Sequence, residues 1–149
     1  MPVPSLTLVD GLFQLSFLLH DKLARLADGH GLSMAQVRLL GILRDREPGM
    51  QELCGYLQLE KSSLSGLVDR AQQRGLVERV PSRADRRAAN IRVTAKGRKL
   101  SQRLEQAAGA EAAALLRGLR TPERKQLAAL VERLLLEAGG QLSAGRGAR

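Results

Sequence analysis

The side chains best suited to contact a partner lie in residues 61–74, which combine hydroxyl, amide and guanidinium groups. In this segment Leu64, Leu67, Val68 and Ala71 recur at i, i+3, i+4 and i+7, so one stripe of a helix should face a core. The opposite side is polar and mostly small, and small side chains let a helix backbone approach the floor of a DNA major groove. The members of that side and its edges are Lys61, Ser62, Ser65, Gly66, Asp69, Arg70, Gln73 and Arg74.

A basic loop follows this helix. Gly75 should end the helix, and residues 76–80 and 90–93 are predicted to be short strands because they are rich in β-branched residues. Pro81 is expected to close the first strand, and the loop over 82–89 is rich in arginine. Arginine gains most where the DNA minor groove is narrow, so this hairpin is suited to act as a wing. The loop arginines predicted to bind DNA are Arg83, Arg86 and Arg87.

The elements before this segment complete a helix-turn-helix. Ser33 and Gln36 have the spacing of a capping box, which opens a helix reaching about Arg44. A Glu-Pro-Gly turn separates it from a short helix predicted over 51–57, and a brief connection leads to the helix over 61–74. Two short helices joined by a tight turn, the second with a polar outer face, are typical of DNA-binding proteins.

Long amphipathic helices flank this centre. The first is predicted over 5–29, with leucines three and four positions apart. Thr94 should cap a helix over 95–119, and Thr121 should cap a last helix that ends at Gly139. Their apolar arcs are wider than one chain can cover, which predicts a two-fold homodimer joined through these helices. The last helix should carry inward Leu127, Leu130, Val131 and Leu134.

The whole chain, 1–149, is predicted to be one domain with a mainly α fold and a small β-hairpin. Its winged helix-turn-helix lobe spans 33–94, and its helical dimerisation lobe combines 5–29 with 95–139. With no Trp, one Tyr and two Phe, the core must be built from leucine, valine and alanine, which suits helices. The formal charge of +9 indicates a polyanionic partner.

Other functional classes find little support in the residues. No nucleophile elbow, phosphate loop or pair of carboxylates has a recognisable frame, so we expect no enzyme activity and no cofactor. His20 and His30 have no carboxylate or cysteine at ligand spacing, so no metal site is predicted. Cys54 is expected to pack as a small hydrophobe, with an oxidant sensor as the alternative. We expect no secretory signal and no disulfide framework, and no apolar run reaches about 18 residues, so we expect a cytoplasmic protein that does not enter the membrane.

Two sequence runs resemble the multiple-antibiotic-resistance regulator (MarR) family, whose members are dimeric winged-helix repressors. The runs are LSMAQVRLLGIL and ELCGYLQLEKSSLSGLVDRAQQRGLVERVPSRADRRAANIRVTAKGRKL, and the likeness covers about residues 32–104. It implies a dimer on a pseudo-palindromic double-stranded operator, with each recognition helix in a major groove and each wing in a minor groove. By position, Arg87 is the wing arginine, and Glu60 can pair with it when DNA is absent. The residues at positions where the family contacts bases and phosphates are Ser62, Ser63, Ser65 and Arg70.

The sequence departs from the family pattern at two positions. Gly66 stands where many members carry an arginine, which predicts a missing base contact and a greater reliance on DNA shape. Met50 stands where a Ser or Thr often caps the third helix, which predicts a weaker cap. The resemblance also implies a small aromatic or anionic effector between the dimer helices and the DNA-binding lobe, with plain packing as the alternative for its residues. The residues suited to line such a cleft are Phe13, Phe17, His20 and Arg38.

These features together predict a dimeric, sequence-specific transcriptional regulator, a repressor whose binding a small ligand relieves. Two alternatives stay open. The charge of +9 and Gly66 also suit an architectural protein that binds DNA of any sequence. The long outer helices also suit a protein-interaction module without DNA affinity.

Overall fold

The computed structural model of this chain describes residues 6–138. Within that range the fold is mainly helical with one antiparallel hairpin, which confirms the predicted class. A 3-10 turn at Leu116–Gly118 separates the last two helices. In chain order the elements are α1 (Leu8–Gly29), α2 (Met34–Leu43), α3 (Met50–Leu57), α4 (Lys61–Gln73), β1 (Val77–Pro81), β2 (Ala89–Val93), α5 (Ala95–Leu115) and α6 (Thr121–Glu137).

Side-chain caps set two helix starts as predicted. The Ser33 hydroxyl oxygen accepts a hydrogen bond from the Gln36 backbone N–H at 3.1 Å, and the Gln36 side-chain oxygen accepts one from the Ser33 N–H at 3.0 Å. This reciprocal pair is the capping box that opens α2. Thr94 also caps α5 with its side chain, because its hydroxyl oxygen accepts a hydrogen bond from the Gly97 N–H at 3.1 Å. By contrast, α3 begins at Met50 with no side-chain cap, since its N-cap residue is Gly49.

Other helix boundaries differ from the prediction. The first helix begins after Thr7, whose hydroxyl oxygen accepts from the Asp10 N–H at 3.1 Å, whereas the predicted start, Ser5, lies outside the described residues. The N-cap of α6 is Arg120 rather than Thr121, because the Glu123 carboxylate accepts from the Arg120 N–H at 2.7 Å.

The C-terminal ends of α5 and α6 also differ from the prediction. The α-helical part of α5 ends at Leu115 rather than 119, because the chain tightens there into the 3-10 turn. The predicted end of α6 at Gly139 lies outside the described residues, and its last helical residue is Glu137.

The hairpin is anchored at its base. β1 and β2 pair antiparallel from Val77 opposite Val93 to Pro81 opposite Ala89, so Pro81 is the last paired residue of β1 rather than the residue that follows the strand. The turn before α3 is hydrogen-bonded to β2, since the Ile91 N–H donates to the Pro48 carbonyl oxygen at 2.9 Å. A two-stranded hairpin alone is marginal in water, so this attachment helps to keep the wing in place.

The core lies under α4, as its apolar stripe predicts. Leu64, Leu67, Val68 and Ala71 are each at most 3% exposed. Buried aliphatic side chains of α2, α3 and the hairpin surround this stripe, and Ala27 of α1 and Leu104 of α5 belong to the same buried cluster. The largest of these buried neighbours are Leu39, Leu43, Leu53, Leu76, Val77 and Ile91.

The start of α5 lies unusually close to the chain before β1. A Cβ atom built on Gly97 would stand 2.1 Å from the Leu76 carbonyl oxygen, far inside van der Waals contact. The same carbonyl oxygen accepts a hydrogen bond from the Thr94 N–H at 3.0 Å. Only glycine fits position 97 without a backbone shift, so this residue fixes how α5 leaves the lobe.

The outer helices bury little of their apolar surface within one chain. The only ion pair joining α1 to α5 in the described range is that of Lys22 and Glu111, at 2.6 Å, and the hydrogen bond and charge of Lys22 hold the pKa of Glu111 below its ordinary value. The prediction that α6 turns its leucines inward is wrong for the described chain, because nothing within residues 6–138 covers them. The side chains concerned are 38–56% exposed: Leu127, Leu130, Val131 and Leu134. No helix within residues 6–138 has the length and apolar content to span a membrane.

Candidate nucleic-acid interface

The N-terminal half of α4 presents an uncapped helix end beside exposed polar side chains. Glu60 is the N-cap, yet its side chain makes no hydrogen bond to the first turn. The first amide groups of a helix have no partner inside it, so they are available to an anion in front of the helix. Lys61, Ser62 and Ser63 are exposed around this end, and Ser65 is half-buried behind them. The free amide groups of the first turn and these polar side chains together are suited to bind a DNA phosphate.

Gly66 and Arg70 form a unit that the sequence does not reveal. A Cβ on Gly66 would stand 3.1 Å from a terminal guanidinium nitrogen of Arg70, so the Arg70 side chain lies over the space that this glycine leaves open. Helix side chains lean toward the N-terminus, which is the direction of this reach. The positive charge of Arg70 is thereby held about one turn nearer to Ser62 and Lys61 than its place in the chain suggests.

The wing loop carries its three arginines on a turn braced by side chains. The Ser82 hydroxyl oxygen accepts from the Asp85 N–H at 3.3 Å, and an Asp85 carboxylate oxygen accepts from the Arg87 N–H at 2.9 Å. Within the described residues, the guanidinium groups of Arg83, Arg86 and Arg87 have no hydrogen-bond or ion-pair partner, and all three residues are exposed.

The pair implied by the family resemblance, between Glu60 and Arg87, does not form in this structure. Among residues 6–138, Arg87 therefore has no carboxylate partner. Its approach to a nucleic acid requires no ion pair to be broken.

A contact between the wing and α4 was missed by the sequence reasoning. Arg79 of β1 donates to an Asp69 carboxylate oxygen of α4 at 2.7 Å, and its other terminal nitrogen donates to the Gln72 side-chain oxygen. We call these three residues the brace. Asp69, assigned from the sequence to the polar face, is thus engaged in joining the helix to the wing. The alternation of side chains along β1 places Arg79 on the same face as the buried Val77, but it does not indicate which residue Arg79 meets.

The structure separates Arg74 from the other predicted contacts. It is the C-cap of α4, about 20 Å along the helix from Lys61 at 1.5 Å per residue. Its guanidinium donates to the Gly31 carbonyl oxygen and, at 3.4 Å, to the Gln36 side-chain oxygen. A DNA contact by Arg74 would have to break these hydrogen bonds, whereas Gln73 is exposed beside it and remains free to make one.

The residues predicted to bind an effector are not enclosed by the single chain. Phe13 and Phe17 are 61% and 69% exposed on α1, and His20 is exposed on the same helix. Arg38 of α2 donates to the Tyr56 carbonyl oxygen at 3.4 Å. A site containing all four would need another surface to close it.

Cys54 packs half-buried against the core, which confirms its expected place. Its thiol also borders a hollow of about 610 Å³ between α3 and the wing, beside Lys61 and Ala89. Within residues 6–138, no cluster of three or more His, Cys, Asp or Glu side chains is placed to hold a metal ion.

The geometry defines a class of protein. A helix-turn-helix whose second helix is flanked by a basic β-hairpin, both carrying unpaired cations on exposed surface, is a winged-helix module of the DNA-binding type.

Comparison with known proteins relates this lobe to a family. The sequence profile of the MarR family matches residues 30–88. The transcriptional activatory protein BadR of Rhodopseudomonas palustris is 32% identical over 99 residues, which are 64% of this chain and 57% of BadR. The match thus spans little more than half the length of that curated relative.

Solved structures extend the likeness over most of the chain. A MarR-family transcriptional regulator from Rhodococcus sp. RHA1 superposes with a TM-score of 0.71 at 19% identity, covering 90% of this chain and 96% of that one. The reduced form of MarR from E. coli gives 0.67 at 25% identity, covering 83% and 96%. A mutant of MepR from S. aureus, bound to an oligodeoxyribonucleotide, gives 0.65 at 20% identity, covering 89% and 98%. The winged helix-turn-helix lobe of this chain thus resembles the MarR family in sequence, and most of the chain shares the fold of MarR-family regulators.

Proposed function

We propose that this chain is a homodimeric, sequence-specific DNA-binding regulator that inserts α4 into a major groove and the wing into the adjacent minor groove. The observation that carries the proposal is the distribution of unpaired positive charge. In the described part of the winged lobe, Arg44, Arg46, Arg79 and Arg92 are all in ion pairs. The lobe's cations without a protein partner are Lys61, Arg70, Arg83, Arg86 and Arg87.

This distribution is what a phosphate-binding surface requires. Cations already neutralised by carboxylates release few counterions from DNA, whereas free cations release them and thereby bind. Two of the five free cations, Lys61 and Arg70, lie on α4. The other three lie on the wing loop between β1 and β2. MepR, which shares this fold, has been solved with an oligodeoxyribonucleotide, which supports the same partner here.

The proposed contact set follows from the side chains that are free or exposed. On α4 it comprises serines, a glycine, a glutamine and two cations, and on the wing it comprises three arginines. We leave Arg74 out because its guanidinium is engaged at the opposite end of α4. The set is Lys61, Ser62, Ser63, Ser65, Gly66, Arg70, Gln73, Arg83, Arg86 and Arg87.

The exposed outer helices support the homodimer. Leu8 is 79% exposed, and the apolar side chains of α6 are also open to solvent. Burying a leucine side chain yields about 1.5–3 kcal/mol, so a second copy covering α1 and α6 would be strongly stabilised. A dimer would also repeat α4 at a fixed separation, which must match one DNA turn of about 34 Å.

Substitution within α6 tests the dimer. Leu130→Glu places a charge on the exposed apolar face, and we expect it to convert the dimer to monomers in analytical ultracentrifugation. Lys125→Gln on the same helix is the matched control and should leave the dimer intact. A wild-type chain that sediments as a monomer at micromolar concentration would contradict the dimer.

The direction of regulation and the effector complete the proposal. The family resemblance implies repression relieved by a small aromatic or anionic ligand, whereas BadR is described as activatory. Deleting the gene for a repressor raises expression of its target, and deleting the gene for an activator lowers it.

The effector site would need the dimer. A second chain packed on α1 would supply the surface that Phe13, Phe17, His20 and Arg38 lack.

A binding experiment separates sequence-specific regulation from architectural binding, which the charge of +9 also favours. A fragment recovered by genome-wide footprinting and random DNA of equal length are titrated over about 50–200 mM salt. We expect the fragment to bind at least about 1,000-fold more tightly. Equal affinities with equally steep salt dependence would establish the architectural function, and no binding to either DNA would favour the protein-interaction module.

A further inference from the structure

The C-terminal end of α4 is joined to two of the outer helices through one residue. The Arg74 guanidinium donates to the Gly31 carbonyl oxygen in the turn after α1 and, at 3.4 Å, to the Gln36 side-chain oxygen. From the other side, the Lys96 ammonium of α5 donates to the Arg74 carbonyl oxygen at 2.8 Å. We call these four residues the junction. Within residues 6–138, no other hydrogen bond joins α4 or its C-cap to α1, to the turn after α1 or to α5.

The acceptors that Arg74 uses are themselves held in place. The turn that contains Gly31 folds back on α1, because the Leu32 N–H donates to the Ala27 carbonyl oxygen at 2.8 Å. Gln36 is buried, with 8% of its surface exposed, and its side-chain oxygen also accepts the hydrogen bond of 3.0 Å that completes the capping box of α2. Arg74 therefore bonds to fixed points on α2 and at the end of α1.

The junction controls the angle of α4 more than the core does. Apolar contacts hold α4 on the core but are not directional, whereas hydrogen bonds are. Lys61 lies about 20 Å along the helix from Arg74, so a rotation of about 10° at the junction would move the Lys61 end by about 3.5 Å. One base-pair step of DNA is about 3.4 Å, so even a small rotation is comparable with the spacing of base pairs.

We propose that Arg74 is a positioning residue, which fixes the angle of α4 against α1 and α5 and thereby sets the half-site spacing that the dimer accepts. The half-site spacing rests on the proposed function, whereas the angle of α4 is a property of the single chain. In this role Arg74 touches neither a base nor a phosphate. Its charge strengthens the hydrogen bonds of the junction, because a charged donor bonds more strongly than a neutral one.

Spin labels at positions 28 and 63 measure the angle of α4 by double electron–electron resonance. Asp28 and Ser63 are both exposed, Cys54→Ser removes the native thiol, and an excess of unlabelled chain restricts the signal to distances within one chain. We expect Arg74→Gln to broaden the distance distribution by about 3 Å, the displacement of Ser63 that a rotation of about 10° produces. Arg74→Lys can still donate to the Gly31 carbonyl oxygen and should keep the narrow distribution.

Arg103→Gln is the matched control. Arg103 lines the same hollow as Arg74 but has no hydrogen-bond or ion-pair partner in the described residues, so its loss removes the same charge and no contact. Lys96→Gln removes the second link of the junction and should also broaden the distribution, so it decides the matter if Arg74→Gln does not fold. An unchanged distribution in Arg74→Gln, or an equal broadening in Arg103→Gln, would overturn the proposal.

Fluorescence anisotropy with two operators tests the consequence for DNA. One operator has the natural spacing, and the other has one extra base pair between its half-sites. Wild type and Arg103→Gln should prefer the natural spacing at least about tenfold, because the extra pair shifts one half-site by about 3.4 Å and rotates it by about 35°. Arg74→Gln should lower this preference to about threefold or less, since a loosened α4 can follow the displaced half-site, and Arg74→Lys should retain it.

The preference for spacing separates positioning from other roles of Arg74. A variant that is merely less stable would bind both operators more weakly and keep the wild-type preference, which would refute the spacing role. A salt slope lowered by about 0.9 with the preference intact would mean that Arg74 binds a phosphate, and the proposal would also fail. A chain that bound neither operator would contradict the proposed function, while the spin-label distances would still decide whether Arg74 positions α4.

Discussion

The brace of Arg79, Asp69 and Gln72 predicts that a residue without a DNA contact sets DNA affinity. Arg79 joins β1 to α4 by two hydrogen bonds, one of them an ion pair of 2.7 Å. The side chains of Arg79 and Asp69 are 34% and 53% exposed. An ion pair so open to solvent contributes at most about 1 kcal/mol to the free energy of unfolding. Arg79→Gln should therefore fold, with only a small fall in Tm.

The same substitution should act more clearly on DNA binding. In the described residues, Arg79 makes the only side-chain hydrogen bonds between the hairpin and α4, so its loss leaves the wing attached through β2 and Pro48 alone and lets it take more orientations. Restoring one orientation on DNA then costs about 1 kcal/mol, which is about a fivefold rise in Kd. Because Arg79 is engaged with α4 rather than free for phosphate, the dependence of log K on log salt should keep its wild-type slope.

Fluorescence anisotropy with a labelled operator over about 50–200 mM salt measures both quantities. Asp69→Asn is the matched partner variant, and it removes a negative charge, which by itself would favour DNA. We nevertheless expect it to weaken binding about as much as Arg79→Gln, and the double variant to be no worse than either single one. A slope lowered by about 0.9 in Arg79→Gln alone would mean that Arg79 touches a phosphate, and tighter binding by Asp69→Asn would also refute the brace.

Three further substitutions test single features of the structure. Arg87→Ala should weaken operator binding at least about threefold and lower the salt slope by about 0.9, and an unchanged affinity would exclude the wing contact. Gly66→Ala should raise the free energy of unfolding by about 1 kcal/mol, since glycine is unfavourable inside a helix. The added Cβ should also displace the Arg70 side chain and weaken DNA binding. Equal or tighter binding in anisotropy would refute the role of this open space. Gly97→Ala should destabilise the fold by about 1–3 kcal/mol in urea unfolding because its Cβ meets the Leu76 carbonyl oxygen, and a neutral result would contradict that close contact.

Much of the fold was predictable because its signals are local. The apolar spacing of Leu64, Leu67, Val68 and Ala71 predicts both the existence of α4 and the face that it buries. The capping box at the start of α2 depends on residues three apart, so it could be read without any tertiary information.

Local signals failed where two of them compete. Thr121 is a good N-cap by type, yet the helix start moves to Arg120 because Glu123 bonds to the Arg120 N–H and guanidinium together. Propensity ranks residue types, whereas a particular pair of hydrogen bonds decides the boundary.

The sequence by itself determined the helices, the wing and the positive charge that favours DNA, because periodicity, caps and composition act over a few residues. Only the tertiary structure decided which cations are free. Arg79 meets Asp69 across 10 residues, Arg74 meets Gly31 across 43, and the Lys22 and Glu111 pair spans 89. Such partners are set by how helices pack, and residue types alone do not specify packing. The fold thus engages Arg79 and Arg74 in contacts within the chain, and it leaves Arg70 and the wing arginines without such contacts in the described residues.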